Sequence, residues 1–257
     1  MKYYIIVLLI AIVFLLSCSG KDKITIDKIK PHSPKLIPHL GDLGDGYMFN
    51  DSQYPILDDD NNGIDAVPDG NGIRISWEHF LDSDLDFYKV YRFDENNIMP
   101  VLIDTRSVDD NDYYIDNSND VITHIKYSYT IEVFDKAGNS TLSDTVSYKL
   151  LDKPILSEPV NNAVMNPNGI VFKWNASGFV SKYRLLLFND NHEYLWKYDM
   201  DVAFEGDSFE VTGPSNLSQL NPGSSIFWRV DAFEWDSDLG FFIGSESYER
   251  KINLDNN

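Results

Sequence analysis

The chain has 257 residues, 43% hydrophobic and 14% aromatic, which is apolar material for two cores of ordinary size and excludes disorder throughout. Asp and Glu number 41 against 21 Lys and Arg, a formal net charge of −20, which argues against nucleic acid as a partner and against adsorption to an anionic membrane surface. A single cysteine, Cys18, excludes an intrachain disulfide and a cysteine zinc cluster.

Met1-Lys2 is a short basic start, and Tyr3 to Leu16 is an unbroken apolar run of 14 residues. A bilayer-spanning helix needs about 20 residues, so the run fits the hydrophobic region of a secretory signal. It ends Leu15-Leu16-Ser17-Cys18, which resembles the bacterial lipoprotein signal. The resemblance implies that residues 1–17 are removed and that Cys18 carries lipid on its sulfur and amino group. Acyl chains contribute about 0.8 kcal/mol per buried CH₂, so several together hold a protein on a membrane. The alternative is an ordinary cleaved signal with a chance cysteine. Ser19 stands where an Asp would, in some bacteria, mark retention at the inner membrane, which points to the outer membrane, on its periplasmic or cell-surface face.

Residues 18–34 are polar, carry both charge signs and read as a tether. Residues 35–63 are rich in Gly, Asp, Asn and Pro and read as a loop-rich lead-in packing on the first domain. The first 34 residues carry a net charge of +3, residues 35–150 carry −15, and residues 151–257 carry −8. The acidity therefore lies in the folded part.

Beyond Gly63 the apolar period is two, as in strands with one buried face. Ile73, Ile75 and Trp77 share a face, as do Tyr88 and Val90, and Tyr127, Tyr129, Ile131 and Val133. Turn clusters at 69–72, 94–97, 116–120 and 136–139 separate the runs. The second half repeats the plan. Ile170 to Trp174, Tyr183 to Phe188 and Ile226 to Ala232 match the three earlier strands, with Trp77 and Trp174 97 residues apart. The expectation is all-β, two tandem sandwiches over 64–150 and 151–257.

Ile75-Ser76-Trp77, Asp84 to Arg92, and Tyr127 to Val133 running into Asp135-Lys136-Ala137-Gly138-Asn139 resemble fibronectin type III modules. The second copy resembles them through Leu220-Asn221-Pro222-Gly223 before Phe227-Trp228-Arg229-Val230. The resemblance implies a buried tyrosine corner at Tyr127, replaced by Ile226 in the second copy. It implies modules that space or present things, some of which bind proteins or sugars, and no catalytic residues.

The sharpest local motif runs from Asp58 to Asp69 and matches a calcium loop, with Asp58, Asp60, Asn62 and Asp69 as ligands. Its twelfth residue is Asp rather than Glu, and Pro68 precedes it. The competing reading is a solvated acidic loop entering the first strand. Tyr194, Trp196 and Tyr198 alternate along one strand, and Trp235 lies near Phe241-Phe242. Facing outward, these rings would stack on a sugar or a protein partner; facing inward, they are core. The five histidines are scattered, GxSxG is absent, and a filled sandwich offers no glycosidase cleft. The sequence therefore reads as a non-enzymatic protein anchored in the cell envelope, binding a protein or polysaccharide, or serving as a structural stalk.

Overall fold

The computed structural model describes residues 27–37, 66–67, 70–176, 178, 180–202, 206 and 208–255. The first sandwich is built from β1 (Leu36–Ile37), β2 (Ile73–Trp77), β3 (Leu85–Asp94), β4 (Val101–Ser107), β5 (Tyr113–Asp116), β6 (Lys126–Asp135), β7 (Ser140–Leu142) and β8 (Val146–Lys149). One sheet runs β1-β2-β5 and the other β4-β3-β6-β7, with β8 also on β6. The fourth strand, β4, thus joins the sheet of the third strand and not that of the first. In a constant-type immunoglobulin domain it lies in the opposite sheet.

The second sandwich repeats this with β9 (Ile155–Glu158), β10 (Ala163–Met165), β11 (Val171–Asn175), β12 (Lys182–Phe188), β13 (Tyr194–Asp201), β14 (Ser208–Thr212), a 3₁₀ helix at Ser215–Gln219, β15 (Ser225–Asp236), β16 (Phe241–Glu246) and β17 (Arg250–Leu254). Its sheets are β14-β11-β9 and β10-β17-β15-β12-β13, with β16 on β15 and β10 parallel to β17. The protein is all-β and consists of two tandem fibronectin type III-like sandwiches, as the period-two runs imply.

Each core forms because alternate residues turn inward. Ile73, Ile75, Val90, Tyr129, Ile131 and Val133 are fully buried in the first, and Phe172, Trp174, Leu185, Leu187, Trp228 and Val230 in the second. One aromatic pair recurs. Trp77 meets Tyr88 edge-on at 5.1 Å, and Trp174 meets Tyr183 edge-on at 5.7 Å. Burial pushes both tyrosine hydroxyls up to about 12. Neither hydroxyl has a hydrogen-bond partner among the described residues.

The copies close the approach to their central strand differently. The Tyr127 hydroxyl donates to the Asp120 carbonyl at 2.9 Å and accepts from the Ile122 N–H at 3.0 Å, which is the tyrosine corner. In the second copy the buried Ile226 offers no hydroxyl. The 3₁₀ helix there satisfies its own backbone, Leu220 N–H donating to the Leu217 carbonyl at 3.1 Å, and drops Leu217 into the core.

The last strand is broken in both copies, and a serine fills each break. Ser143 Oγ accepts the Ile131 N–H and Ser247 Oγ accepts the Val230 N–H, both at 2.9 Å. In return, the Ser143 and Ser247 amides donate to the same two residues' carbonyls, at 2.8 and 2.9 Å. The side-chain oxygen replaces the carbonyl that a regular ladder would supply.

Residues 27–34, part of the expected tether, lie along the first sandwich. Asn139 Nδ2 donates to the Asp27 and Ile29 carbonyls, Thr141 Oγ1 to the Pro31 carbonyl at 2.7 Å, and Ser33 Oγ to the Leu142 carbonyl at 2.7 Å. Over residues 27–34 the expected tether is therefore bonded to the first sandwich, and β1 at Leu36–Ile37 lies in the stretch read as a loop-rich lead-in.

Candidate functional site

The two sandwiches meet at a seam. Leu150 forms a parallel bridge with Gly244, Lys149 Nζ meets Asp236 at 3.2 Å, and Asp152 accepts from Thr123 at 2.6 Å and meets His124 at 3.1 Å. Phe233 and Phe242, from the second sandwich, pack into the first core. Burial raises the Asp236 carboxyl, but the Leu239 N–H and Lys149 outweigh it and hold the group below its ordinary value. The same balance, with Thr123 and His124 as partners, lowers Asp152.

Trp235 stands at the rim of this seam. Its partner across the ladder is Phe242, and both point away from the core of the second sandwich. The rings meet edge-on at 5.3 Å, Lys182 Nζ lies 5.7 Å from the Phe242 ring, and Trp235 remains 52% exposed. Asp236 Oδ1 accepts the Asp238 and Leu239 amides, and Gly240 takes φ +77°, so the adjoining turn is tightly held. An exposed indole fixed on a strand is a flat apolar platform for an aliphatic chain or a sugar face.

The aromatic row on β13 does not share one face. Leu185 lies opposite Tyr198 and Leu187 opposite Trp196, so these two rings turn toward the core. A bulge between Leu187 and Phe188 then puts Tyr194 opposite Phe188, on the outer face. Trp196 packs against the core, and Tyr198, stacked on it at 5.9 Å, is 43% exposed at the sheet edge. The expected shared face is thus corrected: of the two readings, Trp196 takes the core one, and Tyr198 is a half-exposed lip. The extra residue in the bulge carries no sequence signal.

A salt-bridge network occupies the outer face of the β10-β17-β15-β12-β13 sheet. Arg229 Nε meets Asp231 at 3.0 Å and Nη1 meets Glu246 at 3.5 Å, while Arg184 Nε meets Asp199 at 2.6 Å. Burial raises Asp231 above its ordinary value against the pull of Arg229 and Arg184. In the first sandwich Asp116 plays a smaller version, accepting from Arg92 at 2.8 Å and from the Tyr129 hydroxyl at 2.9 Å. Sequence reasoning missed both networks, although an Arg and an Asp in the middle of the apolar run 226–233 were their signal.

Cys18 and the calcium-loop residues Asp58, Asp60, Asn62 and Asp69 lie outside the described residues. Among the described residues, one carboxylate group, Asp27, Asp84 and Asp135, has oxygens within 4.8 Å of one another. Asp135 already accepts the Ala137 and Asn139 amides and Asn139 Nδ2, which makes it the cap of the Asp-x-Ala-Gly-Asn turn. Each of the four described histidines pairs with one carboxylate at the surface: His32 with Asp82, His79 with Asp112, His124 with Asp152, and His192 with Glu249.

No protein-family model and no curated protein matches the chain. Among solved structures it is similar to the FN1-FN3 domains of chicken CNTN1, at 14% identity and a TM-score of 0.32 over 72% of this chain and 61% of that one. It is also similar to CopC from Methylosinus trichosporium OB3b, at 13% identity and a TM-score of 0.28 over 40% of this chain and 93% of that one. The chain spans about three fifths of the CNTN1 fragment it resembles. The strand order gives each half a fibronectin type III-like fold.

Proposed function

We propose that this chain is an exported, non-enzymatic cell-envelope protein, anchored in the outer membrane through lipid on Cys18, whose two sandwiches present a binding surface to a protein or polysaccharide. The observation that carries the binding reading is the half-exposed Trp235, held edge-on by Phe242 on the rim of the seam. The seam itself favours a second reading, a stalk of set length, because bonded and interpenetrating sandwiches keep a fixed spacing.

Two experiments test these readings. Trp235→Ala should abolish capture of envelope polysaccharide or protein from the native envelope while leaving the melting temperature unchanged. Retained capture with an intact fold removes the Trp235 surface and leaves the stalk. Cys18→Ala should shift the protein from the membrane to the soluble fraction or leave it unprocessed; unchanged membrane fractionation sinks the anchor.

A further inference from the structure

β4 is the last strand of its sheet, and its second edge meets no strand among the described residues. An open edge offers N–H and C=O groups to any extended chain, so folded proteins blunt it with charges, bulges or proline. Here most of the blunting is confined to one half. A bulge falls at Ile103, where the register with β3 shifts. Beyond it, Asp104 Oδ1 accepts the Thr105 N–H at 2.7 Å and Oδ2 accepts from Arg106 Nε at 2.7 Å, so this carboxylate caps the strand locally. Ahead of the bulge the chain is apolar. Ile98 is 81% exposed, Met99 72%, Val101 50% and Leu102 48%. Among the described residues, no backbone–backbone hydrogen bond satisfies Ile98 or Met99. Pro100 removes one amide from this half and leaves the rest open.

Val101 stands opposite Arg92 and Leu102 opposite Tyr91, so apolar groups project from both faces of the edge. With Ile98 and Met99 they form a patch of the size, roughly 300–600 Å², that often marks an interaction site on a monomer. The matching edge of the second copy, β13, carries Lys197, Asp199 and Asp201 along its length and is guarded there. The charge around the open edge has one sign. Glu95 stands exposed before it, and Asp109 and Asp110 stand exposed after it. The nearby cations are engaged: Arg92 meets Asp116 at 2.8 Å, Arg106 meets Asp104, and Lys89 lies 4.6 Å from the Phe134 ring. A second copy would set the same carboxylates against these, in a chain of net charge −20, so the edge suits a basic partner and not itself.

We propose that Ile98 to Ile103 on the open half of the β4 edge takes up an extended segment of a basic partner protein as an added strand. Backbone hydrogen bonds hold the segment. Its alternate side chains cover Leu102 on one face and Val101 on the other, because successive side chains of a strand point to opposite faces. Lys or Arg near its ends meets Glu95 and the Asp109-Asp110 pair. The surface uses no residue of the Trp235 platform, so it adds a second contact to the proposed function and stands or falls apart from it.

The test presents the full mature chain to a display library of random peptides. Enriched peptides should alternate apolar residues and carry Lys or Arg near their ends. A synthetic copy of one should slow amide exchange over 98–103 at least about tenfold, with β13 unchanged. Leu102→Lys places a like charge on the open edge at an exposed position. It should keep the melting temperature and weaken binding of that peptide at least about tenfold. Trp235→Ala should leave the same binding unchanged. No enrichment, enrichment of acidic peptides, protection away from β4, or full binding to a folded Leu102→Lys variant overturns the proposal. Sedimentation that shows a dimer of the native chain, lost in Leu102→Lys, overturns it as well by giving the edge to a second copy.

Discussion

Replacing Ser247 by alanine removes one oxygen from the break between β16 and β17. The Val230 N–H loses its acceptor at 2.9 Å, in a place where Val230 and Ser247 are both fully buried. Water has no access there, so the amide is left unsatisfied, at a cost of about 1–3 kcal/mol. The equivalent change, Ser143→Ala, deprives the Ile131 N–H in the same way, but Ser143 is only half-buried. Water can take the place of its hydroxyl, so the cost falls to below about 1 kcal/mol. For domains of this size each kcal/mol lowers the melting temperature by roughly 4–8 °C. Calorimetry on both variants should show Ser247→Ala as clearly the more damaging. Equal shifts for the two, or a Ser247→Ala loss under about 0.5 kcal/mol, would refute the reasoning that the serine oxygen acts as a ladder carbonyl.

Tyr183→Phe should leave stability unchanged or raise it slightly in chemical denaturation, because its buried hydroxyl has no partner among the described residues; a loss above about 1 kcal/mol would mean the hydroxyl is bonded. Tyr127→Phe should behave oppositely and cost about 0.5–1.5 kcal/mol, since it removes the hydroxyl that bonds the Asp120 carbonyl and the Ile122 amide. Because Tyr88 and Tyr183 are raised to about 12, stability should be intact below about pH 10 and fall as pH rises toward 12; if Tyr88→Phe and Tyr183→Phe leave the loss of stability between pH 10 and 12 unchanged, the reasoning fails. Asp152 and Asp236 are lowered, so the seam should be intact above about pH 4 and loosen as pH falls through their native values; calorimetric unfolding that stays a single coupled transition in acid speaks against it. If Asp58 to Asp69 holds calcium, melts with calcium and with chelator should differ by several degrees, and identical melts remove the metal.

The fold was legible because a sheet with one wet face writes its geometry into every second residue. Ile73-Arg74-Ile75-Ser76-Trp77 became β2, and Tyr127 to Val133 became the middle of β6. The duplication was legible from Trp77 and Trp174, and the structure adds the Trp–Tyr pair and the paired serines to it. The candidate site was legible only in part. Trp235 stands exposed, but the Tyr194 to Tyr198 row is split by a bulge, because one inserted residue reverses the face without altering the alternation of the sequence. The outer network around Arg229 was hidden for the opposite reason. A strand buried on both faces loses its alternation, and Ile226 to Phe233 reads as one apolar run interrupted by two charges.

The sequence by itself determined that this is a duplicated all-β chain, with acidic folded halves and one cysteine placed after an apolar run. Local periodicity, turn chemistry and composition suffice for those conclusions because each is carried by neighbouring residues. The tertiary structure decided which rings are exposed, that the two sandwiches share a bonded seam, and that β12 and the middle of β15 are buried on both faces. These depend on which distant segments meet, such as Lys153 with Val67 and Glu246, and contact between residues 86 or 93 positions apart leaves no pattern along the chain.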